Sequence, residues 1–346
     1  MHRKFRLALI GVGKVTLQCH LPAALSLPDV EIGALVDTAM DRACEVADDY
    51  GLKPLMASTV EDIIGEVDGA VIATPNHLHA DAAVTLLNAG VPVLIEKPLA
   101  ATVEQGERIV KAAGAAGIPA GVGYCSRFQD NVAFMGGLIR DGYFGHIRRF
   151  VFQSGTRGGW APFSAYNTRT GTAGGGVVMI TATHFLDRML HWFGMPVESQ
   201  YFDDAEGGPE ANAIMRFRFE RDGGPTTAAL RFSKTRGLTG GMVLDTAKGR
   251  VYFGEDEDSW PVLAPAGGGV HLTVKPDGAH RRPRPELDRF QRQLLDFVRA
   301  CEQGRDPEVP VAEGQRSLEL IHAMYAARRP LAEAEREPLA DAEVLS

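Results

Sequence analysis

The sequence is poor in cysteine. Its four thiols, Cys19, Cys44, Cys125 and Cys301, lie far apart with no Cys-x-x-Cys pair. That spacing excludes a disulfide framework and the usual zinc arrangements. Positive charge is in deficit: 36 Lys and Arg against 44 Asp and Glu leave a formal net charge of −8. An acidic balance argues against a general nucleic-acid binder and against electrostatic docking on anionic membranes. Long hydrophobic runs are missing too, and no stretch approaches the ~20 apolar residues of a membrane span. The start, MHRKFRLALIGVG, has a basic tip, but its apolar run is short and no small-residue cleavage site follows. A buried first strand explains it better than a signal peptide, and a cytoplasmic location is expected. Internal repeats and low-complexity linkers are absent as well. With 45% hydrophobic and 23% charged residues, the composition is that of an ordinary globular chain. Its 346 residues predict two domains.

A regular rhythm fills the first 124 residues. Short apolar runs at 5–10, 32–36, 70–73, 93–95 and 119–123 alternate with longer amphipathic stretches. The short runs are nearly continuous in Val, Ile, Leu or Ala, as strands buried on both faces are. Thr38 with Asp41, Ser58 with Glu61, and Thr102 with Gln105 stand at or near capping-box spacing. The alternation predicts an α/β domain of Rossmann type over residues 1–124, built on a doubly wound parallel sheet. Beyond it the pattern changes. Residues 127–141 read as a helix, 147–154 as a strand, 155–176 as a Gly-rich loop and 177–193 as a helix. Two-residue alternation at 211–220 and 226–234, with further strands at 242–246, 250–253 and 270–274, predicts hairpins and an antiparallel sheet. The chain closes with an amphipathic helix at 286–302, carrying Leu287, Phe290, Leu294, Val298 and Cys301 at 3–4 spacing, and another at 313–328. Residues 125–346 are therefore expected to form an α+β domain with a large, open, mainly antiparallel sheet. The open face asks for a partner, so a homodimer or homotetramer through it is expected.

Glycine (39) and proline (20) make up about a sixth of the chain, which means tight turns and close backbone approaches. The most telling glycines are in Gly11-Val12-Gly13-Lys14-Val15-Thr16, after the first strand and opening the first helix. Gly11 allows the tight turn, and Gly13 the approach of a pyrophosphate to free N–H groups at the helix start. Thr16 stands where a third small residue is usual and is expected to push the helix slightly outward. Asp37 follows Gly13 by 24 residues, at the end of the second strand, placed to accept ribose hydroxyls. An acid there favours NAD over NADP. Arg42 tempers the preference, since it could meet a 2′-phosphate or simply be solvated.

Ligands in such folds bind at the carboxyl ends of the strands. Two segments stand there: Thr74-Pro75-Asn76-His77-Leu78-His79 after the fourth, and Glu96-Lys97-Pro98 after the fifth. His77 and His79 lack the accompanying Cys, His or acid of a metal site, and His79 reads as a polar contact at a helix start. Lys97 closes a buried strand, which is costly unless it faces a ligand; a solvated loop lysine is the alternative.

These pieces, with His20-Leu21-Pro22, Tyr124-x-x-Arg127-Phe128, and Gly174-Gly175-Gly176 followed by His184-Phe185-Leu186-Asp187, occur in the order that marks one family. Over about residues 5–187 the chain resembles the Gfo/Idh/MocA oxidoreductases, which act mainly on sugars, polyols and related cyclic alcohols. The resemblance implies a nicotinamide cofactor, NAD with NADP as the alternative. It would be held by Gly11, Gly13, Lys14, Val15, Asp37, Arg42, Thr74, Pro75, Asn76, His79, Glu96 and Lys97. It implies that Lys97 points at the reacting oxygen and that His184 is the general acid/base, a pairing the oxidation of an alcohol requires. Without the resemblance, His184 reads as a half-buried helix histidine.

One departure stands out. Family dehydrogenases often carry Asp four residues before this His, and here that position is Ile180. Thr181 can offer a hydroxyl but no acid, so a substrate set different from that of inositol-type dehydrogenases is expected. Trp160, Tyr166 and Arg169, in the loop, are candidates to stack on or hydrogen-bond a sugar, with Arg127 nearby by analogy; the alternative is a loop or dimer anchor. The arginines Arg127, Arg157 and Arg169 leave an acidic or phosphorylated substrate open. A glycosidase with transiently oxidised substrate and bound NAD, and a catalytically silent cofactor-sensing regulator, are the competing readings.

Overall fold

The computed structural model describes residues 3–158, 173–277 and 287–335, which fall into two compact units. The first holds residues 3–128, 173–174 and 287–319. Its core is a six-stranded parallel sheet of β1 (Phe5–Ile10), β2 (Val30–Val36), β3 (Leu55–Ala57), β4 (Gly69–Ile72), β5 (Val93–Ile95) and β6 (Ala120–Val122). The strands lie in the order β3-β2-β1-β4-β5-β6. The order reverses between β1 and β4, and this reversal opens a crevice at their carboxyl ends. β4 and β5 are buried along their whole length, which is why their runs are unbroken by polar residues. β3 is short and half exposed at the sheet edge, so no apolar run announces it.

Helix starts follow the sequence only in part. Thr102 does cap Val103–Ala116, accepting from the Gln105 N–H at 3.3 Å, while Gln105 Oε1 accepts from the Ala101 N–H at 3.1 Å. The Thr38 pattern is unused; the Met40–Asp49 helix starts without a side-chain cap. The Ser58 pattern precedes only a three-residue turn, Glu61–Ile63. The C-terminal helix Arg289–Gln303, closed by an Asp288–Gln291 capping box, is part of the first unit. Its Leu294, Phe297 and Val298 share one buried cluster with Phe5, Leu7, Leu9 and Leu35. A stretch expected to lie wholly in the second domain thus completes the core of the first.

The second unit holds residues 129–158, 175–277 and 320–335. Its sheet has nine strands: β7 (Ile147–Gly155), β8 (Glu198–Asp203), β9 (Asn212–Phe219), β10 (Thr226–Ser233), β11 (Leu238–Thr246), β12 (Gly249–Phe253), β13 (Val262–Pro265), β14 (Leu272–Thr273) and β15 (Arg328–Pro330). The order is β14-β13-β12-β11-β7-β10-β9-β8-β15. Pairing is antiparallel except for the parallel pairs β7–β10 and β8–β15, so the sheet is mixed but mainly antiparallel. Helix Thr183–Phe193 covers one face: Phe193 stacks on Phe150 at 4.5 Å, and Phe185 on Phe152 at 3.7 Å. The opposite face aligns Ala229, Val151, Val243 and Tyr252 in one cross-strand row.

Candidate cofactor and catalytic site

Gly11 and Gly13 are glycine for different reasons. Gly11 has φ +87°, and a Cβ on it would lie 2.8 Å from the Ala73 carbonyl oxygen, so neither conformation nor space admits a side chain. A Cβ on Gly13 would meet nothing within 4 Å. That open space is what a pyrophosphate at the helix start requires. Lys14 is exposed there and Val15 partly so.

Thr16 is packed against the glycine turn. It is 1% exposed, and its hydroxyl donates to the Gly11 carbonyl. The chain widens here into a π turn, Thr16–His20, in which the Leu21 N–H reaches the Thr16 oxygen. Pro22 supplies the physical reason. A proline inside a helix has no N–H to give and clashes with the carbonyl four residues back, and a wider preceding turn relieves the clash.

Asp37 does more than face a ribose. Its Oδ2 accepts from the Val12 N–H and its Oδ1 from the Ala39 N–H, both at 2.8 Å. The carboxylate therefore ties the glycine turn to the end of β2. Arg42 is half exposed, its guanidinium 3.8 Å from Asp37 Oδ1. Asp37→Ala is consequently expected to weaken NAD roughly tenfold or more, because a charge-assisted bond to the turn is lost, and to narrow the gap to NADP without reversing it. Nicotinamide fluorescence titration of both cofactors checks this; a clean switch to NADP would contradict it.

At the end of β4 the Thr74 hydroxyl is buried without a hydrogen-bond partner, a group that a bound cofactor would satisfy. Pro75 is partly exposed beside it. Asn76 is 4% exposed, and its amide donates to the Ala173 carbonyl at 2.8 Å. His79 opens the His79–Asn88 helix and makes polar contacts there. It is fully buried, with Nε2 2.8 Å from the Thr74 carbonyl and Nδ1 3.1 and 3.2 Å from those of Pro98 and Leu99. Burial holds its imidazole below the usual range, outweighing the raising effect of those carbonyls. It brackets the two loops that carry Thr74 and Lys97 and offers no free nitrogen to a cofactor. No group of three or more His, Cys, Asp or Glu among the described residues could hold a metal.

Glu96, at the end of β5, is also buried. Its Oε1 lies 2.8 Å from His20 Nε2, and its Oε2 accepts from the Lys97 N–H at 3.0 Å. Burial by itself would raise the carboxyl, but the hydrogen bond and charge of His20, with Lys97, hold it below the usual range. Lys97 is partly exposed at the mouth of the β5 loop, and the Lys97–Pro98 bond is cis. Arg127 lies deeper than a substrate contact requires. It is 5% exposed, and its guanidinium donates to Glu313 at 2.8 Å, so it anchors a buried ion pair inside the first unit.

In the second unit, His184 is half-buried on Thr183–Phe193, just after a π turn, Val178–Ala182. Ile180 and Thr181 are the partly exposed residues of that turn. The start of the segment is held by Glu210, which sequence reasoning missed. Its carboxylate accepts from the Gly176 N–H at 2.9 Å, the Val178 N–H at 3.0 Å and the Tyr325 hydroxyl at 2.8 Å. Its carbonyl accepts from the Val177 N–H at 2.8 Å. Two of the glycines make room for this clamp. A Cβ on Gly176 would lie 2.1 Å from the Glu210 carbonyl oxygen, and one on Gly175 2.1 Å from the Tyr325 hydroxyl. Trp160, Tyr166 and Arg169 lie outside the described residues.

Residues 5–124 match the family model described as "Oxidoreductase family, NAD-binding Rossmann fold", GFO_IDH_MocA. The rhizopine catabolism protein MocA of Rhizobium meliloti is 27% identical over 332 residues, 92% of this chain and 94% of its own length. Residues 5–124 thus match the NAD-binding Rossmann domain of the Gfo/Idh/MocA oxidoreductases, and the chain is similar to MocA over most of its length. Among solved structures, the aldose-aldose oxidoreductase of Caulobacter crescentus, complexed with glycerol, superposes with TM-score 0.82 at 25% identity over 96% of this chain and 98% of that one. A levoglucosan dehydrogenase in complex with NADH shares the fold at TM-score 0.82 and 21% identity, with the same coverage. The glycine turn, Asp37 and the Thr74 hydroxyl fit a nicotinamide dinucleotide. No helix among the described residues is long and apolar enough to cross a membrane.

Proposed function

We propose that the protein is an NAD-dependent dehydrogenase or reductase of a sugar, polyol or sugar derivative, with NADP as the weaker alternative. The observation that carries this reading is Lys97 standing at the carboxyl end of β5, its main chain fixed by the ionised Glu96, in a domain of nicotinamide-binding family. Bound nicotinamide would supply the hydride acceptor or donor. The Lys97 ammonium polarises the reacting oxygen and stabilises alkoxide character as it develops. His184 takes the hydroxyl proton in oxidation and returns it in reduction. Asp37, beside the glycine turn, repels a 2′-phosphate, and this supports NAD as the preferred cofactor. The sugar-oxidising and aldose-acting relatives support the substrate class. Ile180 removes the acid common in inositol-type enzymes, so the preferred substrate is expected to lie outside the inositols. Thr181 and the loop residues Trp160, Tyr166 and Arg169 are proposed to contact the substrate. The open face of the nine-stranded sheet is the proposed seat of a second subunit.

A panel of sugars, polyols and inositols with NAD and NADP, read at the nicotinamide absorbance, tests the reading. Net cofactor turnover on a sugar or polyol supports it. Glycoside cleavage without net turnover, or cofactor binding with no turnover on any member, would replace it with the glycosidase or the regulator.

A further inference from the structure

Two stacked ring pairs fix the direction of the His184 helix across the second sheet. Phe193 meets Phe150 and Phe185 meets Phe152, so the helix runs opposite to β7. The register of β7 with β10 is unbroken from Arg149 to Gly155, and alternate residues therefore share a face. Ser154 follows Phe150 and Phe152 in that row. It stands beyond the stack, at the end where His184 precedes Phe185.

Glu255 reaches the same place from another strand. Phe152, Met242 and Phe253 lie opposite one another across β7, β11 and β12. One step further along this face come Ser154, Gly240 and, just past β12, Glu255. The Glu255 side chain lies over Gly240, where any Cβ would collide with Oε2. Its carboxylate accepts a hydrogen bond from Ser154 and feels the charge of Arg188. Arg188 stands one helical turn after His184, its guanidinium 5.2 Å over the Phe185 ring. Glu255 and His184 thus share one end of one face, within the second unit.

A carboxylate is costly in such a setting. Burial raises the Glu255 carboxyl above the usual range and Asp256 adds to this, while Ser154 and Arg188 offset it only in part. A carboxylate kept for structure collects donors, as Glu210 does from Gly176, Val178 and Tyr325. A carboxylate has about four acceptor sites. Among the described residues Ser154 is the one hydrogen-bond donor to Glu255, and both side chains are partly exposed. The fold leaves most of this acceptor capacity to a ligand that carries O–H groups.

We infer that Glu255 is a specificity-determining residue, accepting a hydrogen bond from a substrate hydroxyl other than the one oxidised. It supplies from the sheet a carboxylate that Ile180 does not supply from the helix. The inference rests on the proposed dehydrogenase reading of this site.

The test crosses Glu255→Ala and Glu255→Gln with the singly deoxygenated analogues of the best substrate on the sugar and polyol panel. In wild type, removing the hydroxyl that meets Glu255 is expected to lower kcat/KM roughly 10- to 100-fold, the effect of losing a hydrogen bond to a charged group. Glu255→Ala lowers kcat/KM of the parent compound by a similar factor, and that analogue then loses no more than about threefold further. Losses at the other hydroxyls stay as in wild type. Glu255→Gln keeps the shape and an acceptor for Ser154, and shrinks the loss at the same hydroxyl alone. A structural defect would scale every analogue equally. Undiminished kcat/KM in Glu255→Ala, or a variant in which every analogue keeps its wild-type loss, overturns the inference. Titration calorimetry of the same compounds against the NADH-loaded protein reads the coupling without turnover. Coupled binding with no turnover overturns the dehydrogenase reading alone, turnover without coupling overturns the inference alone, and a panel that neither binds nor turns over overturns both.

Discussion

Lys97→Met is expected to lower kcat by roughly 10²- to 10³-fold, the range for losing one oxyanion-stabilising donor. Methionine keeps the length and apolar stem of lysine, so packing at the β5 loop changes little. The carboxylate of Glu96 is touched by the Lys97 main chain, and that contact survives the substitution. NADH affinity should therefore remain near wild type while turnover collapses, a split that loss of folding cannot mimic. His184→Ala is expected to lose roughly 10²- to 10⁴-fold, as removal of a general acid/base does. Steady-state kinetics on the panel substrate, paired with cofactor titration, measure both. Undiminished turnover in either variant removes that residue from the mechanism.

The sequence was most readable where one residue type has one physical job. Gly11 declares a turn because only glycine satisfies that position, and Gly13 beside it leaves open the space a phosphate requires. The unbroken apolar runs of β4 and β5, and that of β1 broken only by Arg6, declare strands covered on both faces. The same reasoning failed where a contact is made far along the chain. An amphipathic stripe does not name its partner, so Leu294, Phe297 and Val298 gave no sign that their helix returns to the first sheet. His79 was read as a polar contact at a helix start, and its contacts fit that, but nothing local named the Pro98 and Leu99 carbonyls it would meet. Nothing local announced that Arg127 pairs with Glu313, 186 residues later. Neither π turn is visible in a 3.6-residue pattern, although Pro22 was a local sign of the first. The third-position Thr16 was read as a packing defect, whereas its hydroxyl is part of how the glycine turn is held.

Glu210→Ala is expected to be the most destabilising single change in the second unit, and Glu210 was the least legible residue of all. The substitution leaves the Gly176 and Val178 N–H groups and the Tyr325 hydroxyl buried without an acceptor. At about 1–3 kcal/mol for each buried group left unsatisfied, a loss of about 3 kcal/mol or more is expected even after partial relaxation. The damage falls at the start of the segment that carries Ile180, Thr181 and His184, so turnover and stability should decline together, with cofactor affinity in the first unit preserved. The loss also carries a pH signature. Burial raises the Glu210 carboxyl above the ordinary range, and its hydrogen bonds from Val178, its own main chain, Tyr325 and Gly176 offset this only in part. An acid raised in the folded state favours folding while protonated, and that contribution fades as pH rises from the unfolded value through the folded one. The stability gap between wild type and Glu210→Ala should therefore be widest at pH values near and below the ordinary carboxylate range and narrow as pH rises above it. Urea denaturation of both proteins across that window measures the gap; one that widens with pH would show that the clamp is held by an ionised carboxylate whose hydrogen bonds outweigh its burial.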